Sequence, residues 1–154
     1  MFATLDPTSR RLRFPREREV IVTDTVGFIR DLPRELVAAF GATLEEISEA
    51  SLLLHVVDTS AADLERRIEA VREVLDEIDD GRTPELLVFN QIDKLPPDVG
   101  KSIAARHGGV AVSALERTGF GGLLARADAI LWEDGEEALE EGRRRPLALA
   151  AQGG

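Results

Sequence analysis

Three short apolar runs, each halted by a polar residue, constrain this chain of 154 residues more than anything else in it. Val20, Ile21 and Val22 are consecutive and β-branched, and the run stops at Thr23-Asp24-Thr25-Val26-Gly27. Residues 51–58 read SLLLHVVD and end on Asp58, while residues 85–89 read ELLVF and lead into Asn90-Gln91-Ile92-Asp93. Runs this short, without polar alternation, suit strands buried on both faces. Helix-spaced stripes lie between them. Leu36, Val37, Phe40, Leu44 and Ile47 precede the second run, and Leu64, Ile68, Val71, Leu75 and Ile78 precede the third. Alternating strand and helix predicts an α/β fold: a mostly parallel sheet, layered between helices on both faces, with right-handed crossovers.

Local signals set the expected boundaries. Asp6-Pro7-Thr8-Ser9 reads as a turn, and residues 11–14 as a short edge strand ended by Pro15. Residues 16–19 would then make a charged turn, closing a hairpin onto Val20. After Gly27, residues 28–32 read as a loop, and Pro33 suits a first helical turn. Gly41 weakens the helix that follows by roughly 1 kcal/mol against alanine. Ser60, with Asp63 three residues on, predicts a capped helix that ends around Asp79, Asp80 and Gly81. A short helix is expected over 98–107 and a short strand over 110–112. Thr118 would cap a last helix carrying Phe120, Leu123, Leu124, Ala127, Ile130 and Leu131. From Glu133 the pattern fades into a charged, Ala/Gly-rich stretch. We therefore expect an ordered body over 1–132 and a partly disordered tail over 133–154.

Composition narrows the function. There are no cysteines, so disulfides and Cys-ligated zinc are excluded, and two histidines make a His-based metal site a poor reading. His55, inside an apolar run, reads as a packed histidine. No apolar run reaches the ~20 residues of a membrane span, and no signal peptide is recognisable, so a cytoplasmic location is expected. A formal net charge of −10 argues against a general grip on nucleic-acid phosphates, DNA included. Docking on a ribonucleoprotein through a local patch stays open. Arg10, Arg11, Arg13, Arg16 and Arg18 form one cluster and Arg143-Arg144-Arg145 another. The simplest reading of the second is a solvated, charged surface.

The polar ends of the runs carry the chemistry. In an open α/β sheet, ligands bind at the carboxyl ends of the strands. An aspartate at such an end, here Asp24, is suited to the oxygen-loving Mg²⁺ ion or a water of its shell. Gly27, lacking a Cβ, lets its backbone N–H approach a phosphate. Alone, D-x-x-G is equally a strand followed by a turn. Asp93 can accept two hydrogen bonds from the N1–H and amino group of guanine, a donor pair adenine lacks. Asn90 can meet the base edge and tie neighbouring loops, and the Ala114 N–H can meet the guanine O6.

As an ordered set these segments resemble the HflX family of translation-factor-related GTPases. The matching residues are FATLDPTSR (2–10), DTVGFIRDLP (24–33), LVAAFGATLEEI (36–47), LLLHVVD (52–58), NQID (90–93) and VSAL (112–115), and the resemblance runs from Phe2 to about Trp132. It implies a P-loop GTPase-like sheet and roles at matched positions. Phe2, Ala3, Thr4, Leu5 and Asp6 would form the first switch, with the Thr4 hydroxyl on Mg²⁺. Asp24 would hold the magnesium shell, and Thr25, Val26 and Gly27 would face the γ-phosphate. Asn90, Gln91, Ile92 and Asp93, with Ser113, Ala114 and Leu115, would hold the guanine. Phe28 stands where many GTPases carry the glutamine that orients the attacking water, which a phenyl ring cannot do. The implied activity is slow GTP hydrolysis stimulated by the large (50S) ribosomal subunit, in splitting or rescuing stalled ribosomes.

Two departures stand beside the resemblance. No G-x-x-x-x-G-K-[ST] loop occurs in the chain, so a fold lacking its first strand, P-loop and first helix is expected, reading as a fragment. The runs at 20–23 and 52–58 would normally flank that strand. They are expected either to leave a slot or to pair directly. Gln91 occupies a position usually held by lysine. The alternative is a binding or scaffold module without nucleotide chemistry. A third reading, an adenine-specific P-loop enzyme, is disfavoured by Asn90 and Asp93.

Overall fold

The structure, a computed structural model, describes residues 8–14, 18–24, 45, 47–132 and 145–151. Six strands form one sheet. They are β1 (Thr8–Phe14), β2 (Arg18–Asp24), β3 (Leu52–Asp58), β4 (Glu85–Asn90), β5 (Val110–Ala111) and β6 (Arg145–Ala151), in the order β1-β2-β6-β3-β4-β5. β1 pairs antiparallel with β2, and the other four pairings are parallel. The expected hairpin and mostly parallel sheet are therefore present. The helices are α1 (Leu64–Asp79), α2 (Val99–Arg106) and α3 (Phe120–Trp132). Of the helix expected over 33–49, residues 45 and 47–49 are described, and they are helical.

Side-chain alternation along the strands sorts the core into two faces. Leu52 and Leu54 of β3, Leu86 and Val88 of β4, and Val20 of β2 pack with Ala127 and Leu131 of α3. Leu53 turns the other way onto Ile47, Val71 and Leu75, and Val57, Leu87 and Phe89 meet Leu64, Ile68 and Ala104. Helices thus cover both faces, as the unalternated runs require.

His55 is fully buried, and its Nδ1–H donates to Glu85 Oε1 at 2.5 Å. Arg72 of α1 donates to the other carboxylate oxygen at 2.9 Å. Burial alone would raise the Glu85 pKa. The hydrogen bonds and positive charge of His55 and Arg72 outweigh that and hold it below the ordinary value. On the edge strand, Arg10, Arg11 and Arg13 are exposed, and charge on an unpaired edge opposes sheet extension. Arg18 folds inward instead. It bonds Asp128 at 3.2 Å and lies 4.8 Å over the Trp132 ring, which also packs on Phe14.

Three expectations are corrected. Ser60 does not cap α1. Its N–H and hydroxyl both donate to Asp58 Oδ1, at 3.0 and 2.6 Å, while Asp63 occupies the cap position and binds Arg67 with its side chain. The expected disorder after Glu133 does not extend over residues 145–151, which form β6. The inner edges of β2 and β3 neither leave a slot nor pair with each other, because β6 lies between them and parallel to both. Two buried strand edges need partners for every N–H and C=O, and a nearby extended segment supplies them whatever its own propensity.

Candidate functional site

The carboxyl ends of β4 and β5 carry two loops that lock together. The Asn90 carbonyl accepts from the Thr59 N–H at 3.0 Å and the Thr59 hydroxyl at 2.6 Å, fastening the ends of β3 and β4. The Asn90 side-chain oxygen accepts from the Ala114 N–H at 3.0 Å. Gln91 then adopts a left-handed conformation, φ 64°, and a single 3₁₀ turn, Ile92–Lys94, presents Asp93. Asp93 Oδ1 accepts from the Ser113 hydroxyl at 2.6 Å, and Ser113 Oγ accepts from the Glu116 N–H at 3.1 Å. Ser113 is fully buried, so its hydroxyl is fixed by these partners rather than by solvent.

Two glycines make the close approaches possible. A Cβ on Gly119, where φ is +84°, would lie 2.2 Å from the Ala111 carbonyl oxygen. This is the tight turn from β5 into α3 that leaves Ser113 and Thr118 paired backbone to backbone at 3.0 Å. A Cβ on Gly100 of α2 would lie 2.4 Å from Ile92 Cγ2, so glycine lets α2 pack directly behind the turn that bears Asp93.

Of the residues expected at a guanine site, Asn90, Asp93, Ser113 and Ala114 are brought together. Leu115 follows on the same loop but is 83% exposed. Gln91 joins them in the backbone, and its Oε1 is buried without a hydrogen-bond partner among the described residues. Asp24, the candidate magnesium residue, is exposed at the carboxyl end of β2. Its register partner Leu149 is level with Leu54 of β3, so Asp24 ends its own strand four residues, roughly 13 Å, short of the level of Asp58 and Asn90, and the sheet does not bring it beside them. An exposed carboxylate at a strand end suits Mg²⁺, which takes one or two carboxylates and keeps several waters. Among the described residues no group of three or more His, Asp or Glu forms a metal cluster. Phe2, Ala3, Thr4, Leu5, Asp6, Thr25, Val26, Gly27 and Phe28 lie outside the described residues.

Two contributors were missed in the sequence. Thr59 bridges β3 and β4, and nothing in a T-S pair after a strand signals that. Asp58 pairs in register with Asn90. Burial would raise its pKa, but the two bonds from Ser60 and the charges of Lys94 and Arg67 prevail and lower it. An aspartate closing an apolar run was the available signal. A cleft of about 520 Å³ between the first turn of α1 and the end of α2 is separate from these loops. Asp63, Glu65, Arg66, Arg106 and His107 line it. No helix among the described residues is long and apolar enough to cross a membrane.

Comparison with known proteins bears on the family and the fold. The profile of the 50S ribosome-binding GTPase family matches residues 1–91, more than half the chain. A GTPase HflX of Caldanaerobacter subterraneus is 44% identical over 136 residues, covering 88% of this chain and 31% of the relative. A GTPase HflX of Escherichia coli is 55% identical over 95 residues, covering 62% of this chain and 22% of the relative. The chain thus spans less than a third of these curated relatives. Among solved structures, a crystal structure of Era in complex with MgGDPNP and a segment of 16S ribosomal RNA superposes with a TM-score of 0.58. It is 22% identical and covers 82% of this chain and 44% of that one, a likeness of fold. The chain therefore belongs to the 50S ribosome-binding GTPase family and, within it, to the HflX type.

Proposed function

We propose that this chain carries the guanine-recognition part of a GTP-binding and GTP-hydrolysing site of the HflX type. The observation that carries the reading is the cross-linking of the Asn90–Asp93 and Ser113–Ala114 loops by side-chain hydrogen bonds at the sheet's carboxyl rim. In this reading Asp93 takes the N1–H and amino group of guanine, with the Ser113 hydroxyl on a further lone pair of Oδ1 holding the carboxylate in place. Asn90 holds the Ala114 loop through the Ala114 N–H, which passes from the Asn90 side chain to the base O6 when guanine binds. Asp24 and the Thr4 hydroxyl hold Mg²⁺, whose chemistry is to neutralise charge on the phosphates. Residues 2–6, with 25–27, close on the γ-phosphate, and Gln91, Ile92 and Leu115 complete the base pocket. Phe28 leaves the attacking water without a side-chain orienter, so turnover is slow until a partner supplies one. The 50S subunit is that partner and the site of action, in the cytoplasm, where the whole protein would split or rescue stalled ribosomes.

The test is a titration with fluorescent GTP, competed by GTP, ATP and xanthosine triphosphate, with and without EDTA. GTP is expected to compete and ATP not. Asp93→Asn should move preference toward xanthosine, whose C2 oxygen is an acceptor where guanine has a donor. Competition by ATP equal to that by GTP would overturn the reading. The alternative is a binding or scaffold module without nucleotide chemistry, and a cooperatively folded chain with no GTP affinity would favour it.

A further inference from the structure

The two guanine-side loops are gripped from a third strand end, that of β3. Thr59 follows β3, is 3% exposed, and places two donors on one acceptor. Its N–H and its hydroxyl meet the Asn90 carbonyl at 3.0 and 2.6 Å. The N–H bond extends the parallel β3–β4 ladder past Asp58 and Asn90, which are in register. Any residue at this position except proline would make it. The hydroxyl bond is different, because it needs threonine or serine and takes the carbonyl's second lone pair. The chain just after it is itself tied down. Asp58 Oδ1 accepts from the Ser60 N–H at 3.0 Å and from the Ser60 hydroxyl at 2.6 Å.

What the hydroxyl holds is the bend on which the site turns. The Asn90 carbonyl belongs to the peptide unit that leads into Gln91, whose left-handed conformation, φ 64°, is unfavourable for a residue with a Cβ. Such a conformation persists only where the surrounding bonds fix the chain on both sides. Before Gln91 that bond is Thr59 on the Asn90 carbonyl. After it, the Ile92 N–H donates to the Val112 carbonyl at 3.4 Å and the Lys94 N–H to the Gln91 carbonyl at 3.1 Å. Asn90 therefore spans the site, its main chain tied to the end of β3 and its side chain to the Ala114 N–H at 3.0 Å. Beyond the bend stands Asp93, held by the Ser113 hydroxyl at 2.6 Å.

We infer that Thr59 is a positioning residue for guanine recognition, acting by its side-chain hydroxyl through the Asn90 carbonyl. The role rests on the GTP reading and adds to it a residue that touches no part of the base. The hydroxyl orients the peptide between Asn90 and Gln91, and that peptide sets the left-handed bend. The bend and the Asn90 amide together hold Asp93 and the Ala114 N–H in place before a base arrives. Groups ordered in advance bind more tightly, because the cost of ordering them is not met on binding. Loss of the hydroxyl should therefore weaken selection among bases more than it weakens the fold. The ladder bond from the Thr59 N–H remains, and valine fills nearly the same space.

The test compares the full chain with Thr59→Val, which removes the hydroxyl and keeps the shape, and with Thr59→Ser, which keeps the hydroxyl. Without nucleotide, the Ala114 amide of Thr59→Val should exchange its hydrogen about fivefold faster than in wild type, the worth of one neutral hydrogen bond. The amides of β4 should stay unchanged, and so should Thr118, whose N–H bonds the Ser113 carbonyl within the neighbouring loop at 3.0 Å. In competition against fluorescent GTP, the preference for GTP over ATP should fall about fivefold in Thr59→Val. Thr59→Ser should match wild type in both measurements. Unchanged Ala114 exchange in Thr59→Val, an equal rise across β4 and Thr118, or a Thr59→Ser chain that behaves like Thr59→Val would overturn the inference. A wild-type chain that selects GTP beside a Thr59→Val chain that selects it equally would overturn the inference alone. A wild-type chain with no preference for GTP would overturn the GTP reading, and the role in recognition with it.

Discussion

Glu85 shows how one carboxylate can govern a core. It accepts from His55 and from Arg72, and so completes a hydrogen-bonded chain from β3 through β4 to α1. Removing one member of such a set leaves the others without compensation, so Glu85→Gln should lower stability by roughly 3 kcal/mol at pH 7. The sign of the pH dependence follows from the depressed pKa. A carboxyl whose folded pKa lies below its unfolded one contributes fully above the unfolded value, 4.5 for an ordinary glutamate, and loses that contribution as the pH falls through the folded one. Urea midpoints at pH 7, 5 and 3 should converge between wild type and Glu85→Gln toward acid. Gln91 is the opposite case, a buried acceptor without a partner among the described residues. Gln91→Met keeps the length and removes the orphaned oxygen, so it should raise stability by about 1 kcal/mol in the same assay. His55 read as a packed residue from its apolar neighbours alone. Its bond to Glu85 was invisible, because thirty residues of chain separate the two.

At the scale of elements, the turns behind the site matter more than the strands that end in it. Gly119→Ala would force a Cβ into the Ala111 carbonyl, 2.2 Å away, at a φ that only glycine adopts freely. The expected loss is roughly 3 kcal/mol, with the Ser113–Thr118 pairing broken first. Loss of amide protection at Ser113 and Thr118 before the rest of β5 would register it. Gly100→Ala meets Ile92 rather than backbone. It should cost about 2 kcal/mol and displace Asp93, so that guanine selectivity falls further than stability does. The strands themselves were legible from short apolar runs, and α1 from a stripe stepping by three and four. The cap was not. Ser60 has the right residue type, but Asp58 competes for its donors, and that competition appears only once β3 has ended where it does.

At the scale of the molecule, Trp132 joins the hairpin to the rest of the sheet, and as the chain's one tryptophan it reports on that joint. Arg18→Ala removes both the ion pair with Asp128 and the cation over the ring, and should cost about 1 kcal/mol. It should shift Trp132 emission without changing far-ultraviolet circular dichroism. What the sequence by itself determined is local: where the chain extends, where it coils, and which polar residues stand at the ends of the extended runs. These follow from periodicity and propensity within a window of a few residues. The pairing of the Asn90–Asp93 loop with the Ser113–Ala114 loop was also foreshadowed, because Asn90, Asp93 and Ser113 each follow an apolar run. Only the tertiary structure decided that residues 145–151 lie between β2 and β3. No local signal marks a strand rich in alanine beside a charged stretch. Its conformation comes from two distant edges that must satisfy their hydrogen bonds, and that demand exists only after the rest of the sheet has assembled.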